Sequence, residues 1–270
     1  IHTLFMVSTK QAGAPRTKQY VDRLGRTLRT ATEGFKSGQW YFTDKRYNAL
    51  GQVTHESLPH TGTPVYTQYT EYDVLGRLKG KLTPAVDSNE DFSTSYSYNG
   101  FTTEIRTYAS DGHNLVMSRV HDSAGLLMQT TDAQSGVTEY GYDAQGNPVV
   151  IKDAAGNEIV AHYDNWGRKL WVDDPNQGKT NFVYNTFGEL ESETDANGKY
   201  QRYDYDLLGR VVTRFSSNGN ASYIWDTRKK GQLTKSYVSG ASKEFFYDSL
   251  ARPTEVKTVI DGAVYSSRTA

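Results

Sequence analysis

The sequence has no cysteine among its 270 residues, and it has only seven prolines and three methionines. Without cysteine, neither a disulfide bond nor a thiolate zinc site can form. The same absence is compatible with a cytosolic protein and with a large exported bacterial protein. No apolar run approaches the ~18–20 residues that a membrane-spanning helix requires, so we expect no membrane span.

A strong charge of either sign is also missing. The 30 Lys and Arg residues almost cancel the 31 Asp and Glu residues, which leaves a formal net charge of −1. Proteins that bind nucleic acids carry a clear excess of basic residues. The sequence therefore predicts no nucleic-acid partner.

Tyrosine and glycine are the residue types that stand out. The chain has 20 Tyr against 10 Phe and 4 Trp, and 24 Gly against 7 Pro. Tyrosine suits a sheet surface because its ring packs on neighbouring side chains while its hydroxyl can reach water. Glycine in this number, with few prolines, is typical of many tight turns. The composition predicts a twisted sheet of many short strands.

A pattern recurs along the chain, in which an aromatic residue precedes Asp or Asn and Gly follows three residues later. In the central copies the Asp or Asn falls at positions 143, 164, 185 and 206, a step of 21 each time. A fixed period of this kind decides the fold, because each repeat forms one supersecondary unit. The structural residues of the best copies are Tyr72, Asp73, Gly76, Arg77, Tyr142, Asp143, Gly146, Tyr163, Asp164, Gly167, Arg168, Tyr184, Asn185, Gly188, Tyr205, Asp206, Gly209 and Arg210.

A second turn pattern lies half a period away from the first. Four Asp residues, again 21 apart, are each followed within four residues by Gly: Asp132 by Gly136, Asp153 by Gly156, Asp174 by Gly178 and Asp195 by Gly198. Each repeat therefore contains two turns and two strands, which is a β-hairpin. Roughly ten such repeats predict roughly twenty antiparallel strands.

The chemistry of the first turn accounts for its residue types. The Asp or Asn side chain accepts a backbone hydrogen bond from two residues on, and Gly supplies the positive φ that closes a type I turn with a bulge. Aromatic residues two apart, such as Phe182 and Tyr184, lie on one face of the preceding strand. In six copies an apolar residue follows the Gly by two positions, as Leu190 and Val211 do. We expect these apolar residues to be the cross-strand partners of the aromatic residues.

The period defines one repeat sheet over residues 20–252. Residues 84–120 break the period, but Asn99-Gly100 and Asp111-Gly112 still favour hairpin turns there, so we expect a degenerate repeat. Residues 1–19 are expected to be a flank whose strand continues from a longer parent chain, because the sequence starts at Ile1 without Met or a signal peptide. Residues 253–270 are expected to be a C-terminal flank, either a continuing strand or a cut end.

The unit Tyr-Asp-x-x-Gly-Arg, complete at residues 72–77, 163–168 and 205–210, resembles the YD or Rhs repeat family. The resemblance extends from about Tyr20 to Arg252. The family includes bacterial Rhs proteins, the B and C components of Tc toxin complexes, wall-associated proteins and teneurins. Membership implies an all-β fold in which tandem antiparallel β-hairpins form one long, curled, spiralling sheet, and this chain would be a partial β-shell.

The resemblance also implies a function. In the bacterial toxins of the family the shell encloses a C-terminal toxic polypeptide. We therefore expect a non-catalytic, structural shell segment of a large secreted or surface-attached bacterial protein. Its expected partners are the remaining repeats of the parent chain and an enclosed toxin polypeptide. The aspartate-based self-cleavage site that ends such shells has no counterpart between Thr254 and Ala270, so no self-cleavage is expected.

Two short motifs invite a ligand-binding interpretation, and each has a simpler explanation. Gly178-Lys179-Thr180 resembles the end of a phosphate-binding loop, but Asp173 occupies the position of its first Gly. The segment 87–91 has the alternating oxygen ligands of a calcium loop, but Phe92 replaces the required Gly and Tyr98 the final Glu. We expect a repeat turn and a solvated acidic loop, with no cofactor and no metal.

No catalytic arrangement emerges from the remaining polar residues. Glu189, Glu191 and Glu193 alternate along one strand, but a glycosidase pair needs a cleft and separated pKa values. Cross-strand pairing with Lys169 or Arg210 is the simpler explanation. Turn capping accounts for the Asp residues of the second turns without a bound ion. The six histidines, at 2, 55, 60, 113, 121 and 162, show no catalytic spacing. The sequence predicts that the chain is not an enzyme.

The alternative function is an extracellular carbohydrate-binding or adhesion module. Sugar rings stack on aromatic faces, and the candidates for such stacking are Trp40, Trp166, Trp171 and Trp225. Packing within the sheet also accounts for these four residues. The two functions differ in one respect, since an adhesion module requires a cluster of exposed aromatic side chains and a shell wall does not.

Overall fold

The computed structural model describes residues 3–11, 13–36, 38–85, 91–108 and 114–269. Within these ranges the regular secondary structure consists of 24 β-strands without a helix, which confirms the all-β prediction. The predicted turn at Asp111-Gly112 and residues 87–90 of the candidate calcium loop lie outside the described residues. Segments long and apolar enough to cross a membrane as helices are likewise not found in the described part of the chain.

The chain folds into two compact units, Ile1–Thr138 and Glu139–Ala270. The first strands are β1 (Phe5–Thr9), β2 (Thr17–Val21), β3 (Thr27–Glu33), β4 (Trp40–Tyr47), β5 (Val53–Ser57), β6 (Tyr66–Tyr72), β7 (Leu78–Thr83), β8 (Phe92–Asn99), β9 (Thr102–Tyr108), β10 (Asn114–His121) and β11 (Leu127–Thr131). The remaining strands are β12 (Val137–Tyr142), β13 (Pro148–Lys152), β14 (Glu158–Tyr163), β15 (Lys169–Asp174), β16 (Gly178–Tyr184), β17 (Leu190–Thr194), β18 (Tyr200–Tyr205), β19 (Val211–Ser216), β20 (Ala221–Trp225), β21 (Leu233–Val238), β22 (Ala241–Tyr247), β23 (Pro253–Ile260) and β24 (Ala263–Arg268).

Consecutive strands pair antiparallel, from β1 through β11 in the first unit and from β12 through β24 in the second. This is the predicted run of tandem hairpins. The segment that breaks the period keeps the same topology, because β8, β9 and β10 continue the pairing order. A weak sequence period at residues 84–120 therefore does not interrupt the hairpin order.

The register confirms the predicted cross-strand partners. Tyr184 pairs with Leu190, and Tyr205 pairs with Val211. At both places the register shifts by one residue just before the tyrosine, which is the signature of a β-bulge. The bulge follows from the turn type, since a type I turn closes a hairpin only with an extra residue in positive φ.

Burial in this fold comes from neighbours along the sheet. Among the described residues only seven are buried, and the four apolar ones are the small residues Val21, Ala31, Ala161 and Ala221. Along β16 the burial alternates, with Thr180, Phe182 and Tyr184 half-buried on one face and the residues between them exposed on the other. We call the first face the tyrosine face. Its stability depends on contacts between adjacent strands and adjacent repeats.

Candidate functional site

The turn that follows each motif aromatic residue, here called the YD turn, is built around one carboxylate. Asp164 accepts hydrogen bonds at Oδ1 from the backbone N–H of Trp166 at 2.9 Å and of Arg168 at 3.0 Å. Its Oδ2 accepts the Nε–H of Arg168 at 2.6 Å. Gly167 has a φ of 75°, as the bulged type I turn requires. The predicted turn chemistry is present, and the arginine after the Gly completes it.

The motif arginine also contacts the next repeat. The Arg168 guanidinium carbon lies 4.9 Å from the centre of the Tyr184 ring, a cation–π distance. The same contact recurs in four places: Arg26 on Tyr47 at 4.8 Å, Arg77 on Tyr98 at 4.1 Å, Arg168 on Tyr184 and Arg210 on Trp225 at 5.0 Å. Each arginine is therefore held by the Asp of its own turn and covers the aromatic ring of the following one.

The aromatic ring returns a hydrogen bond to the preceding repeat. The Tyr184 hydroxyl donates to the carbonyl of Lys169 at 3.0 Å, and Lys169 is the first residue of β15. The acceptor is the first residue of the corresponding strand in all seven cases: Tyr47 to Thr27, Tyr72 to Val53, Tyr98 to Leu78, Tyr184 to Lys169, Tyr205 to Leu190, Trp225 to Val211 and Tyr247 to Leu233. Trp225 uses its indole Nε1–H in place of a hydroxyl.

We call the two contacts together, arginine on ring and ring to carbonyl, the repeat lock. Both contacts of the repeat lock are present at Tyr47, Tyr98, Tyr184 and Trp225, where they join one hairpin to the next through side chains, in addition to the backbone ladder. Tyr72, Tyr205 and Tyr247 make the hydrogen bond to the carbonyl. Its chemistry suits a half-buried site, because the ring packs against the arginine while its polar group finds a carbonyl. Burial raises the pKa of Tyr184 and of Tyr205, which keeps both hydroxyls protonated as donors at neutral pH.

The carboxylates of Asp143 and Asp206 are held in their charged form. The hydrogen bond from Arg210 lowers the pKa of Asp206 below its ordinary value. At the Asp143 turn, which lacks an arginine, the hydrogen bond from the Asn147 side chain has the same effect on the pKa. Both oxygens of each carboxylate accept hydrogen bonds within the turn. Their perturbed pKa values reflect turn construction, since structural hydrogen-bond networks shift pKa values as catalytic sites do.

The irregular repeat at Trp225 keeps the lock through an added ion pair. Asp226 has a φ of 67° and accepts the backbone N–H of Gly231 at 2.6 Å, five residues along. This turn is longer than the other YD turns, because the Asp226 N–H bonds the carbonyl of Gln232, six residues along, and not four. Arg210 reaches across from the preceding turn and donates to both oxygens of Asp226, at 3.0 and 2.8 Å. Through these hydrogen bonds Asp226 raises the pKa of Arg210, and Arg210 lowers that of Asp226.

The second turns are capped by their own Asp residues, as predicted. Asp153 accepts at Oδ1 from the backbone N–H groups of Ala155 and Asn157, at 2.9 and 2.8 Å. In the Asp132 turn the positive φ, at 66°, falls on Ser135, because Ser135 and not Gly136 stands three residues after the Asp. The Ser135 N–H donates to the Asp132 carbonyl at 3.1 Å, as the Gly156 N–H does to the Asp153 carbonyl. Clusters of three or more metal-ligating side chains were not found in the described part of the chain.

The glutamates of β17 do not form the expected ion pairs. Glu189 accepts from Nδ2 of Asn185 at 2.6 Å, and Glu193 accepts from Nε2 of Gln201 at 2.6 Å. The expected pairing with Lys169 or Arg210 is wrong, because Arg210 is committed to two Asp residues. Glu191 is the extra residue of the bulge, between Leu190 opposite Tyr184 and Ser192 opposite Val183, so it has no directly opposite residue on β16. Gly178-Lys179-Thr180 begins β16, so this segment is a strand after a repeat turn.

Three of the four tryptophans make contacts within the sheet. Lys18 lies 4.3 Å from the Trp40 ring centre, and His162 stacks on Trp171 with ring centres 5.8 Å apart. Trp225 belongs to the repeat lock. Trp166 lies at the tip of a YD turn and is 81% exposed, and the Arg168 guanidinium carbon lies 4.9 Å from its ring centre. The three tryptophans of the second unit lie in different elements, Trp166 in a turn, Trp171 in β15 and Trp225 in β20.

A buried polar cluster in the first unit escaped the sequence analysis. Asp44 is only 3% exposed and receives Nη2 of Arg29 at 2.7 Å on one oxygen, which His60 Nε2 also approaches at 3.3 Å. Its backbone N–H donates to Ser57 Oγ at 2.8 Å. Burial by itself would raise the pKa of Asp44, but the Arg29 hydrogen bonds and charge hold it below its ordinary value. Asp44 lies outside the repeat pattern, so no periodic signal marks it.

Comparison with known proteins identifies relatives of this architecture. The family model described as Teneurin YD-shell matches residues 26–266. The double-stranded DNA deaminase toxin A of Burkholderia cenocepacia is 28% identical over 182 residues, which are 54% of this chain and 12% of that protein. The tRNA3(Ser)-specific nuclease WapA of Bacillus spizizenii is 30% identical over 224 residues, 75% of this chain and 9% of that protein. The chain thus spans about a tenth of the length of these relatives.

Solved structures share the fold. The crystal structure of TcdB2-TccC3 without its hypervariable C-terminal region superimposes with a TM-score of 0.72 at 16% identity, over 97% of this chain and 16% of that chain. The crystal structure of TcdB2-TccC3-Cdc42 gives a TM-score of 0.53 at 13% identity, over 94% of this chain and 20% of that chain. At these identities the likeness concerns the fold alone.

Proposed function

We propose, from the premise that this chain belongs to the teneurin YD-shell family, that it is a non-catalytic wall segment of a shell enclosing a toxin polypeptide. The parent protein would be a large bacterial protein that is secreted or attached to the cell surface. The partners of the segment would be further repeats of the parent chain and the enclosed polypeptide.

The repeat lock is the observation that carries this proposal. A wall must resist local opening, because a single frayed hairpin would admit a protease or release the contents. Among the described residues the buried apolar side chains are only Val21, Ala31, Ala161 and Ala221, so a hydrophobic core contributes little rigidity. Apart from the side-chain contacts of the repeat lock, the backbone hydrogen bonds between strands are then the main source of rigidity. The recurring side-chain contacts couple neighbouring hairpins at seven places, as nearest-neighbour interfaces do in other repeat proteins.

The relatives support the toxin association. One curated relative is named as a DNA deaminase toxin and the other as a tRNA nuclease, and each is far longer than the segment that matches this chain. The solved TcdB2-TccC3 structure is without a hypervariable C-terminal region. If the repeat wall is constant and the C-terminal polypeptide varies from protein to protein, similar repeats can occur in proteins with different enzymatic activities.

The deciding experiment is limited proteolysis of the parent protein, followed by mass spectrometry of the C-terminal polypeptide. Three forms are compared: wild type, Tyr184→Ala with Tyr205→Ala, and the control Val183→Ala. Val183 adjoins Tyr184 on the opposite, exposed face and is 52% exposed, so its loss leaves the repeat lock intact. We expect the C-terminal polypeptide to survive in the wild type and in the control and to be digested in the lock variant. Equal digestion of the C-terminal polypeptide in all three forms would show that the repeats do not enclose it.

A cleft on the tyrosine face of the second unit favours carbohydrate binding as a second candidate function. The cleft has a volume of about 440 Å³, and its lining includes Gln177, Glu193, Tyr200 and Asn218. Amide and carboxylate groups beside an aromatic ring match the hydroxyls and faces of a sugar. A glycan array tests this candidate with Tyr200→Ser, and Trp166→Ser serves as the control. Binding that is lost only with Tyr200→Ser would support it, whereas an array without any bound glycan would contradict it.

A further inference from the structure

Arg214 differs from the other arginines of the second unit. Each of those has a carboxylate within ion-pair distance: Arg168, Arg202, Arg210, Arg228, Arg252 and Arg268. Arg214 makes neither an ion pair nor a hydrogen bond within the described part of the chain, and its Nε–H is buried without an acceptor. A half-buried guanidinium without a counter-ion is unfavourable, because it has lost water and gained no partner. An anion at Arg214 would supply the missing charge.

Two parallel rows of side chains surround Arg214 on one face of β19 to β23. In the first row the directly opposed residues are Arg214, Ala221, Val238, Ala241 and Ile260. In the second row, two residues away along each strand, they are Tyr223, Ser236, Lys243 and Thr258. Opposed residues and residues two apart share a face of the sheet. The first row is therefore apolar beyond its arginine, and the second row consists of three hydroxyl-bearing residues and a lysine.

A cleft of about 310 Å³ is lined by both rows. None of the described residues that line it is Asp or Glu. Lys243 is exposed, and the residues opposite it are the neutral Ser236 and Thr258. The cleft therefore combines two positive charges with an apolar floor, and its volume is at the lower end of the range for small-molecule sites.

The neighbouring cleft of about 440 Å³ is less suited to a negative charge. Arg214 lines both clefts, but Glu193 and Asp195 line the larger one. Their carboxylates would repel an anion there. The anionic group of a ligand therefore belongs on the Lys243 side of Arg214. Three strand spacings, about 14 Å, separate β19 from β22, so Arg214 and Lys243 approach that group from opposite sides.

We propose that the 310 Å³ cleft binds a small carboxylate that carries an aliphatic chain. The carboxylate accepts hydrogen bonds from the Nη groups of Arg214 and from Lys243, because guanidinium and ammonium groups are the strongest donors to this anion. The aliphatic chain lies along Val238, Ala241 and Ile260, where it leaves water. A sugar is a poor ligand for this cleft, since the hydroxyls that face the apolar row would have no partners.

This inference goes beyond the proposed wall function and does not depend on it. The ligand would bind whether or not a polypeptide is enclosed, and its cleft is not the one that contains Tyr200. Proteolysis of the parent protein and the glycan array therefore fail or succeed independently of it.

Isothermal titration calorimetry of the whole chain with octanoate tests the charged part of the site. We expect saturable binding of one octanoate, with Kd raised about ten-fold by Arg214→Gln and by Lys243→Gln. Lys230→Gln is the matched control, because it removes the same charge from an exposed residue outside the cleft and should leave Kd unchanged. Octylammonium has the same chain length and the opposite charge, so it should not bind. A wild type without saturable octanoate binding, or equal binding of octylammonium, would overturn the proposal.

The substitution Val238→Asp tests the apolar row. Val238 is 44% exposed, so the fold should tolerate the change, which circular dichroism checks. The new carboxylate should abolish octanoate binding by repulsion and by loss of the apolar floor. Val183→Asp makes the same change at a residue of β16 that is 52% exposed and lies outside the cleft. Equal Kd values in Val238→Asp and Val183→Asp would show that octanoate binds elsewhere and would contradict the proposed site.

Discussion

Asn185 donates a hydrogen bond from Nδ2 to Oε2 of Glu189 at 2.6 Å, in the direction opposite to the bond that Arg210 donates to Asp206. The two pairs occupy the same places in successive YD turns. The pair Asn48 and Gln52 follows the first direction, because Asn48 donates to Gln52 at 2.7 Å. Where the turn begins with Asn, the residue four positions later accepts its hydrogen bond. Where the turn begins with Asp, the side-chain partner four positions later is a donor, either Arg or Asn. The two positions therefore act as one unit.

Reversing only one member of this unit should destabilise the turn. Asn185→Asp places a second carboxylate against Glu189, where a hydrogen bond existed before. We expect a loss of about 1–3 kcal/mol in the free energy of unfolding, the cost of an unsatisfied polar pair. Urea denaturation at neutral pH measures it.

The double variant Asn185→Asp with Glu189→Arg should recover most of that loss. It recreates the Asp-Arg turn of residues 206 and 210, and its arginine can cover Tyr205 as Arg168 covers Tyr184. In a double-mutant cycle the coupling energy should be favourable by about 1 kcal/mol or more. Additive effects of the two substitutions would show that the residues do not act as a unit.

Removal of one ring hydroxyl tests the repeat lock itself. Tyr184→Phe keeps the ring under Arg168 but leaves the Lys169 carbonyl without its donor. We expect the free energy of unfolding to fall by about 1 kcal/mol. Tyr200→Phe is the matched control, because Tyr200 is 51% exposed and stands outside the lock. If both variants lose the same amount, the hydroxyl-to-carbonyl bond has no special role.

Ala251 offers a stabilising substitution. It occupies the place of the motif Gly in the last YD turn and has a φ of 62°, a region that costs a residue with a Cβ atom roughly 1–2 kcal/mol. Ala251→Gly should therefore raise the free energy of unfolding by about 0.5–1 kcal/mol after the entropy cost of Gly. The reciprocal change is Gly198→Ala, where φ is 73° and a new Cβ atom would meet nothing within 4 Å. It should lower stability through backbone strain alone, and thermal unfolding of both variants checks the opposite signs.

Much of the fold was predictable because the 21-residue period fixes both turns and both strands of a hairpin. The partner of Tyr184 was found in this way, since Leu190 follows the bulged turn at a constant distance. The arginine-ring contact was not predicted, because it joins residues of different repeats and needs the lateral spacing of the strands. Asp44 was missed for another reason, as its partners Arg29, Ser57 and His60 belong to a repeat whose loop departs from the period.

Acid should unfold the protein through the carboxylates of its turns, and Asp143 allows the effect to be isolated. The hydrogen bond from the Asn147 side chain lowers the pKa of Asp143, helped by backbone N–H groups of the turn. A carboxylate whose pKa is lower in the folded state stabilises the protein above its unfolded pKa. That stabilisation is lost as the pH falls through the folded pKa, from about pH 4 downward.

Asp143→Asn removes this titration while keeping a side-chain acceptor at the turn, as Asn185 does naturally. The variant should have a lower urea midpoint than the wild type at pH 7, because a neutral amide accepts the N–H groups more weakly. The difference should shrink steadily as the pH falls below about 4 and Asp143 becomes protonated in the wild type. Urea midpoints at pH 7, 4 and 2 measure the trend. A difference that stays constant across this range would mean that Asp143 stabilises the turn without its charge.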